Sequence, residues 1–141
     1  MQLLTLAEAI EHHVHDGQSV ALEGFTHLIP TAAGHEIIRQ RRRNLHLVRM
    51  TPDLVYDQMI GMGCASQLTF SWRGNPGVGS LHRLREAVVS DWPAPLRLFE
   101  FTHAEMAVAY QAGASGLPCG LMRRYVDSDL PGQDRRRVEF A

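Results

Sequence analysis

Three stretches of this chain place chemically useful residues directly after or before short apolar runs. Glu23-Gly24-Phe25-Thr26-His27 brings a carboxylate, a hydroxyl and an imidazole together just beyond Ser19-Val20-Ala21-Leu22. Such a carboxylate could act as a general base, or it could accept hydrogen bonds from neighbouring loop amides. Arg73-Gly74-Asn75-Pro76-Gly77-Val78-Gly79-Ser80 is glycine-rich and leads into an amphipathic segment. Glycine lets a ligand approach the backbone closely, and the free amides opening the next helix favour an anion. The alternative is a tight strand-to-helix connection that needs positive φ. Asp53 and Asp57 lie one helical turn apart. They could form a paired acid and base, or Asp53 could complement the dipole of the helix that follows.

Other chemistries are excluded by residue type or spacing. All 14 basic residues are arginine, so no side-chain amine can form a Schiff base, and the loop at 73–80 lacks the lysine that a P-loop requires. Gly61-Met62-Gly63-Cys64-Ala65-Ser66 follows a helical pattern rather than a strand, which removes it as a dinucleotide fingerprint. His12, His13 and His15 are crowded in sequence, but only the first and last share a helix face, which is too few for a metal centre. His35, His46, His82 and His103 are scattered and read as surface or satisfied polar positions. Cys64 and Cys119 form no CxxC pair and have no evident activating base, so they read as reduced, unreactive thiols. No metal site is expected.

A net charge of −1 from 14 basic and 15 acidic residues gives no field that would gather nucleic acid or anionic lipid. No apolar run approaches the length of a membrane span, and the N-terminus lacks a basic signal region. A cytoplasmic location is expected, with no nucleic-acid or membrane partner. The 141 residues, 45% of them apolar, suffice for one core, and residues 1–141 are read as a single unit.

The elements that must position these residues follow a repeated unit. Thr5-Leu6-Ala7-Glu8 has capping-box spacing and predicts a helix over 5–15 that stops at Asp16-Gly17. Strands are predicted at 19–22, 45–50, 67–72 and 96–101 from their short apolar runs. Helices are predicted at 31–43, with Arg41, Arg42 and Arg43 at the negative C-terminal end; at 51–60, opened by Thr51-Pro52; at the Leu81, Leu84, Val88, Val89 stripe; and at 103–112. Four βα units imply an α/β fold with an open, mostly parallel sheet and helices on both faces. Right-handed crossovers then gather the loops after the strands at one edge, where ligands bind.

With their positions on that edge established, these stretches resemble a known family. Glu23 to Pro30, Arg49-Met50-Thr51-Pro52-Asp53-Leu54, Phe70-Ser71-Trp72, the loop 74–80, Ala112-Gly113-Ala114-Ser115-Gly116-Leu117-Pro118 and Asp129-Leu130-Pro131 together are similar to the A (alpha) subunit of family I CoA-transferases, of the glutaconate CoA-transferase type. The resemblance implies a CoA-transferase/NagB-like fold and a heteromer with a B (beta) subunit. It implies that coenzyme A is substrate rather than bound cofactor, exchanged between an acyl-CoA and a carboxylic acid. A glutamate of the B subunit would attack the thioester, so no catalytic residue is expected in this chain, Glu23 included. This chain would supply the wall facing that glutamate: Phe25, Thr26, His27, Ser71, Gly74, Asn75, Gly77, Val78, Gly79 and Ser80, with Ser71 and Ser80 as hydroxyl donors. Arg73 departs from the family pattern, which has glycine there, and adds a positive charge beside the expected acyl pocket. The ending Arg135-Arg136-Arg137-Val138-Glu139-Phe140-Ala141 reads as entry into a further strand, so the expectation is the N-terminal part of a longer subunit. The rival readings are an acyl-CoA hydrolase on the same scaffold and a noncatalytic small-molecule sensor.

Overall fold

The computed structural model describes residues 3–24, 28–74 and 79–122. The strand entry expected at 135–141 lies outside the described residues. Helix α1 (Leu6–His13) begins where the sequence places a cap: the Thr5 hydroxyl accepts from the Glu8 amide while the Glu8 carboxylate accepts from the Thr5 amide. Then follow β1 (Ser19–Ala21), α2 (Thr31–Arg39), β2 (Leu45–Val48), α3 (Leu54–Gly61), β3 (Ala65–Phe70), α4 (His82–Ser90), β4 (Arg97–Glu100) and α5 (His103–Ala114). The strands lie in the order β1-β2-β3-β4, and every pairing is parallel. Val20 pairs with Leu47, Leu47 with Leu68, and Leu68 with Leu98.

Strand order decides where the helices go. Successive right-handed crossovers that step in the same direction must return over the same face. Thus α2, α3 and α4 form one layer, packed side by side, with α1 flanking α2. Their apolar stripes close on alternate strand residues. Ile10, Ile37, Val55, Met59 and Leu84 meet Val20, Leu47, Leu68 and Phe70 in one continuous core. No α5 residue belongs to that core, yet Met106 and Ala112 are buried. Val48 and Thr69, whose side chains alternate to the other side of the sheet, are buried as well. These facts assign α5 to the opposite face.

One boundary differs in an instructive way. The helix expected over 31–43 ends at Arg39, because Arg41 and Asn44 take positive φ of 56° and 57° and turn the chain into β2. The arginines are therefore not ranged along a helix end. Arg42 donates to the Glu11 carbonyl and the Gln40 side chain, and Arg43 donates to the Met62 carbonyl.

Candidate functional site

The carboxyl ends of β1, β2 and β3 carry a polar cluster whose centre is Arg49. Arg49 continues the line of β2, but its side chain is only 3% exposed. A buried guanidinium is tolerable only when its donors are used. Here they donate to the Leu22 carbonyl at 3.1 Å and the Gly24 carbonyl at 2.9 Å, which ties β2 to the loop after β1. Nη2 also lies 3.0 Å from Asp53 Oδ2, off line for a hydrogen bond but close in charge, and the guanidinium sits 5.4 Å from the centre of the Tyr56 ring. Arg49 Nε has no hydrogen-bond partner among the described residues and lies 4.0 Å from Glu23 Oε2.

Asp53 has two tasks. Its Oδ1 accepts from the Val55 amide at 3.1 Å and caps α3, and its Oδ2 faces Arg49. Asp57 is turned elsewhere, accepting from the Leu84 amide at 2.8 Å and so satisfying the first turn of α4. The two aspartates are therefore separate helix supports, and no acid–base pair forms. Tyr56, fully buried, donates to the Val48 carbonyl and accepts from the Leu22 amide, both at 2.9 Å. Burial pushes its hydroxyl pKa well up, so it remains protonated.

Glu23 is held on the loop-binding reading. Its Oε1 accepts from the Met50 amide and from the Tyr110 hydroxyl, each at 2.7 Å. Burial, and then the bond to Glu23, raise the Tyr110 pKa, which keeps that hydroxyl a donor. An oxygen that accepts two such bonds is committed to the fold and is poorly placed to take a proton from a substrate. Through Tyr110, α5 is pinned to the far end of β1.

The last members of the cluster are Ser71 and His103. Ser71 Oγ lies 2.7 Å from the Met50 carbonyl oxygen and 2.8 Å from His103 Nδ1. Ser71 follows β3, and His103 is the first residue of α5, placed there by the capping box of Thr102 and Glu105. The edge thus joins residues from all four βα units.

Of the expected wall residues, Ser71, Gly74, Gly79 and Ser80 are described, while Phe25, Thr26, His27, Asn75, Gly77 and Val78 lie outside the described residues. Gly74 packs flat on the Trp72 indole, where a Cβ would come within 2.5 Å of the ring. Gly79 has φ +109°, so the loop does need a glycine conformation at that point. Ser80 is exposed on a separate cleft of about 310 Å³ with Arg73, Gly74, Leu81, Leu84 and Arg85; Ser71 is not among its lining residues. Arg73 instead places its guanidinium 5.9 Å from the Phe70 ring centre.

Sequence reasoning missed Arg49, Tyr56 and Tyr110 as members of the edge; His103 falls in the loop after the fourth strand, which is expected there, but in sequence it reads as a surface or satisfied polar position. Arg49 had a signal, since a charged residue ends an apolar strand run four positions before a capping aspartate. Tyr110 had none, because its partner is 87 positions away. Among the described residues, no group of three or more His, Cys, Asp or Glu is arranged to hold a metal ion, and no helix is long and apolar enough to cross a membrane.

An open parallel sheet whose carboxyl edge gathers polar groups from successive βα loops is the ligand-binding class of α/β proteins. No protein-family model matches the chain. A curated relative, the A subunit of 3-oxoadipate CoA-transferase from Pseudomonas knackmussii, is 68% identical over 130 residues, which is 92% of this chain and 46% of the relative. The structure of glutaconate coenzyme A-transferase from Acidaminococcus fermentans superposes with a TM-score of 0.71 at 29% identity, over 82% of this chain and 36% of that one. A variant of the decarboxylase AibA/AibB superposes equally well, with a TM-score of 0.71 at 27% identity, over 82% of this chain and 44% of that one. The chain is thus similar to A subunits of CoA-transferases, and it spans a little under half the length of the curated relative.

Proposed function

We propose that the chain forms part of the A subunit of a CoA-transferase that works with a B subunit on 3-oxoadipate or a closely similar dicarboxylic acid. The observation that carries this reading is the 68% identity over 130 residues with the A subunit of a 3-oxoadipate CoA-transferase. The fold likeness does not choose the activity, since a CoA-transferase and a decarboxylase match with the same TM-score of 0.71.

In the proposed reaction the B subunit contributes a glutamate, whose carboxylate attacks the donor acyl-CoA carbonyl and expels the CoA thiolate, leaving a mixed anhydride. The thiolate then attacks the glutamyl carbonyl, releasing the donor acid and leaving a glutamyl thioester. The acceptor acid runs the same steps in reverse and departs as its CoA ester. Glu23 of this chain is not that nucleophile; its bonds to the Met50 amide and the Tyr110 hydroxyl support a structural role instead. The wall facing the glutamate is assigned to Phe25, Thr26, His27, Ser71, Gly74, Asn75, Gly77, Val78, Gly79 and Ser80, which would hold the acyl group in line for attack. Coenzyme A is the only cofactor-like molecule required, and it is substrate. A reducing, cytoplasmic setting agrees with the free thiols of Cys64 and Cys119.

The test is to incubate the A–B heteromer with an acyl-CoA, with and without 3-oxoadipate. The proposal expects a new CoA ester only when the acceptor acid is present. Free CoA released without acceptor would establish a hydrolase, and release of carbon dioxide from the acyl group a decarboxylase; either result overturns the reading.

A further inference from the structure

The contact between Ser71, Met50 and His103 fixes where the protons are. A carbonyl oxygen can only accept, so the 2.7 Å contact to the Met50 carbonyl requires Ser71 to donate its single proton there. Ser71 Oγ is then an acceptor toward His103, and the 2.8 Å contact requires His103 Nδ1 to carry a hydrogen. Ser71 therefore has no proton left to offer a ligand, and its hydroxyl is not a free donor on the acyl wall. His103 has its ring clamped by Nδ1, while Nε2 has no partner among the described residues and the residue is exposed.

We propose that His103 is a specificity-determining residue of the acyl site, binding the second, non-reacting carboxylate of a dicarboxylic acid through Nε2; this rests on the function proposed above. The ring can take a proton at Nε2 without disturbing its bond to Ser71, giving an N–H donor with positive charge for a carboxylate oxygen. Two further features favour an anion there. His103 is the first residue of α5, at the positive end of a 12-residue helix. The acid in the same turn, Glu105, accepts from the Thr102 amide and hydroxyl. Glu23, on the same edge, is held by the Met50 amide and Tyr110. Ser71 and the Met50 carbonyl act as positioning groups that set the ring angle.

Two substitutions separate the halves of the ring in the A–B heteromer. In His103→Asn the side-chain amide can replace Nδ1 and keep the bond to Ser71, but nothing occupies the Nε2 position. In His103→Gln an amide N–H can reach the Nε2 position while the bond to Ser71 is lost. The expected result for His103→Asn is a rise of about 10- to 100-fold in KM for the dicarboxylic acceptor, the range of a charge-assisted hydrogen bond, with kcat changed little. KM for a monocarboxylic acceptor of the same chain length stays the same, and His103→Gln recovers part of the loss. Equal effects on both acceptors, or no effect on either, overturn the inference. Calorimetric titration of the heteromer with 3-oxoadipate, wild type against His103→Asn, decides the point independently of turnover: affinity drops if Nε2 is the contact and holds if it is not. A wild-type heteromer that binds the acid through His103 but transfers no CoA would overturn the function proposed above while leaving this inference standing.

Discussion

The two ends of the same four strands solve the problem of polar groups in opposite ways. At the amino end the bonds complete backbone groups of neighbouring connections, although Arg42 Nε has no hydrogen-bond partner among the described residues. The Arg43 amide donates to Asp16 at 2.7 Å, the Gly17 amide to the Arg43 carbonyl at 3.1 Å, and the Leu45 amide to the Cys64 carbonyl at 2.9 Å. At the carboxyl end, buried charge is assembled from distant segments, and two ring or guanidinium nitrogens, Arg49 Nε and His103 Nε2, lack hydrogen-bond partners among the described residues. The amino end uses polar groups to finish the backbone ladder. The carboxyl end gathers buried charge from separate loops and presents an exposed ring nitrogen at His103, which is what a ligand-facing surface needs.

The comparison breaks most visibly at Arg49. Arg49→Met leaves Asp53 buried without its cation and frees the Leu22 and Gly24 carbonyls, and should cost about 3–5 kcal/mol, the range for removing one partner of a buried pair. Urea denaturation of the purified protein reads it directly. A loss below about 1 kcal/mol would place the cluster with solvent-screened surface pairs, contrary to its burial.

The amino end should answer to backbone geometry instead. Gly63 has φ +70°, and a Cβ there would come within 2.8 Å of Arg43 Nη1. Gly63→Ala is therefore expected to cost about 1–2 kcal/mol, chiefly from the left-handed conformation, because the arginine tip can move aside. A neutral substitution by thermal denaturation would show that this turn carries no conformational demand.

These two sites also show what sequence can and cannot disclose. The βα alternation is readable because each element carries its own signal: the Thr5 and Glu8 capping box, the run Leu45 to Val48, the stripe of Leu81, Leu84 and Val88. The layering of the crossover helices is not, since it depends on strand order, which no local pattern states. At the edge, Asp53 is legible as a helix-start acid because its amide partner lies two positions away. The bonds from Glu23 to Met50 and Tyr110 span 27 and 87 positions and follow from tertiary placement alone. His103 reads as a surface residue for a related reason: in sequence it is an isolated imidazole, and only the approach of β3 and α5 gives it Ser71.

A smaller effect tests how α5 is fastened to the carboxyl end. Tyr110→Phe removes one donor from Glu23 while keeping the ring, and should cost about 1 kcal/mol, because water can reach the half-exposed carboxylate and replace part of the bond. Amide hydrogen exchange should rise in α5 and leave α1 to α4 unchanged, since α5 contributes nothing to their core. Uniform acceleration across all the helices would mean that the two faces of the sheet unfold as one and that α5 is not separately anchored.

The smallest effect sharpens the contrast by locating acid sensitivity between the two ends. His46 lies mid-strand in β2 on the face away from α2 to α4, with Nδ1 3.1 Å from Ser19 Oγ, Nε2 2.8 Å from Thr69 Oγ1 and its ring 5.9 Å from that of Phe99. A neutral imidazole donates to one hydroxyl and accepts from the other; an imidazolium could only donate, so the hydroxyl that had donated to the ring must turn and accept. Burial lowers the His46 pKa below its ordinary value of 6.5. The unfolded chain therefore binds this proton more readily than the folded one, and linkage gives a stability that rises with pH. The contribution is fully present above about pH 6.5, the unfolded value, and is lost progressively as pH falls below it. Denaturation midpoints measured at a series of pH values should fall on the acid side of 6.5 in the wild type. In His46→Gln, whose amide keeps a donor and an acceptor but cannot titrate, that part of the slope should vanish. If the slope survives the substitution unchanged, the acid sensitivity belongs to the carboxylates of the strand ends, and the middle of the sheet is indifferent to pH.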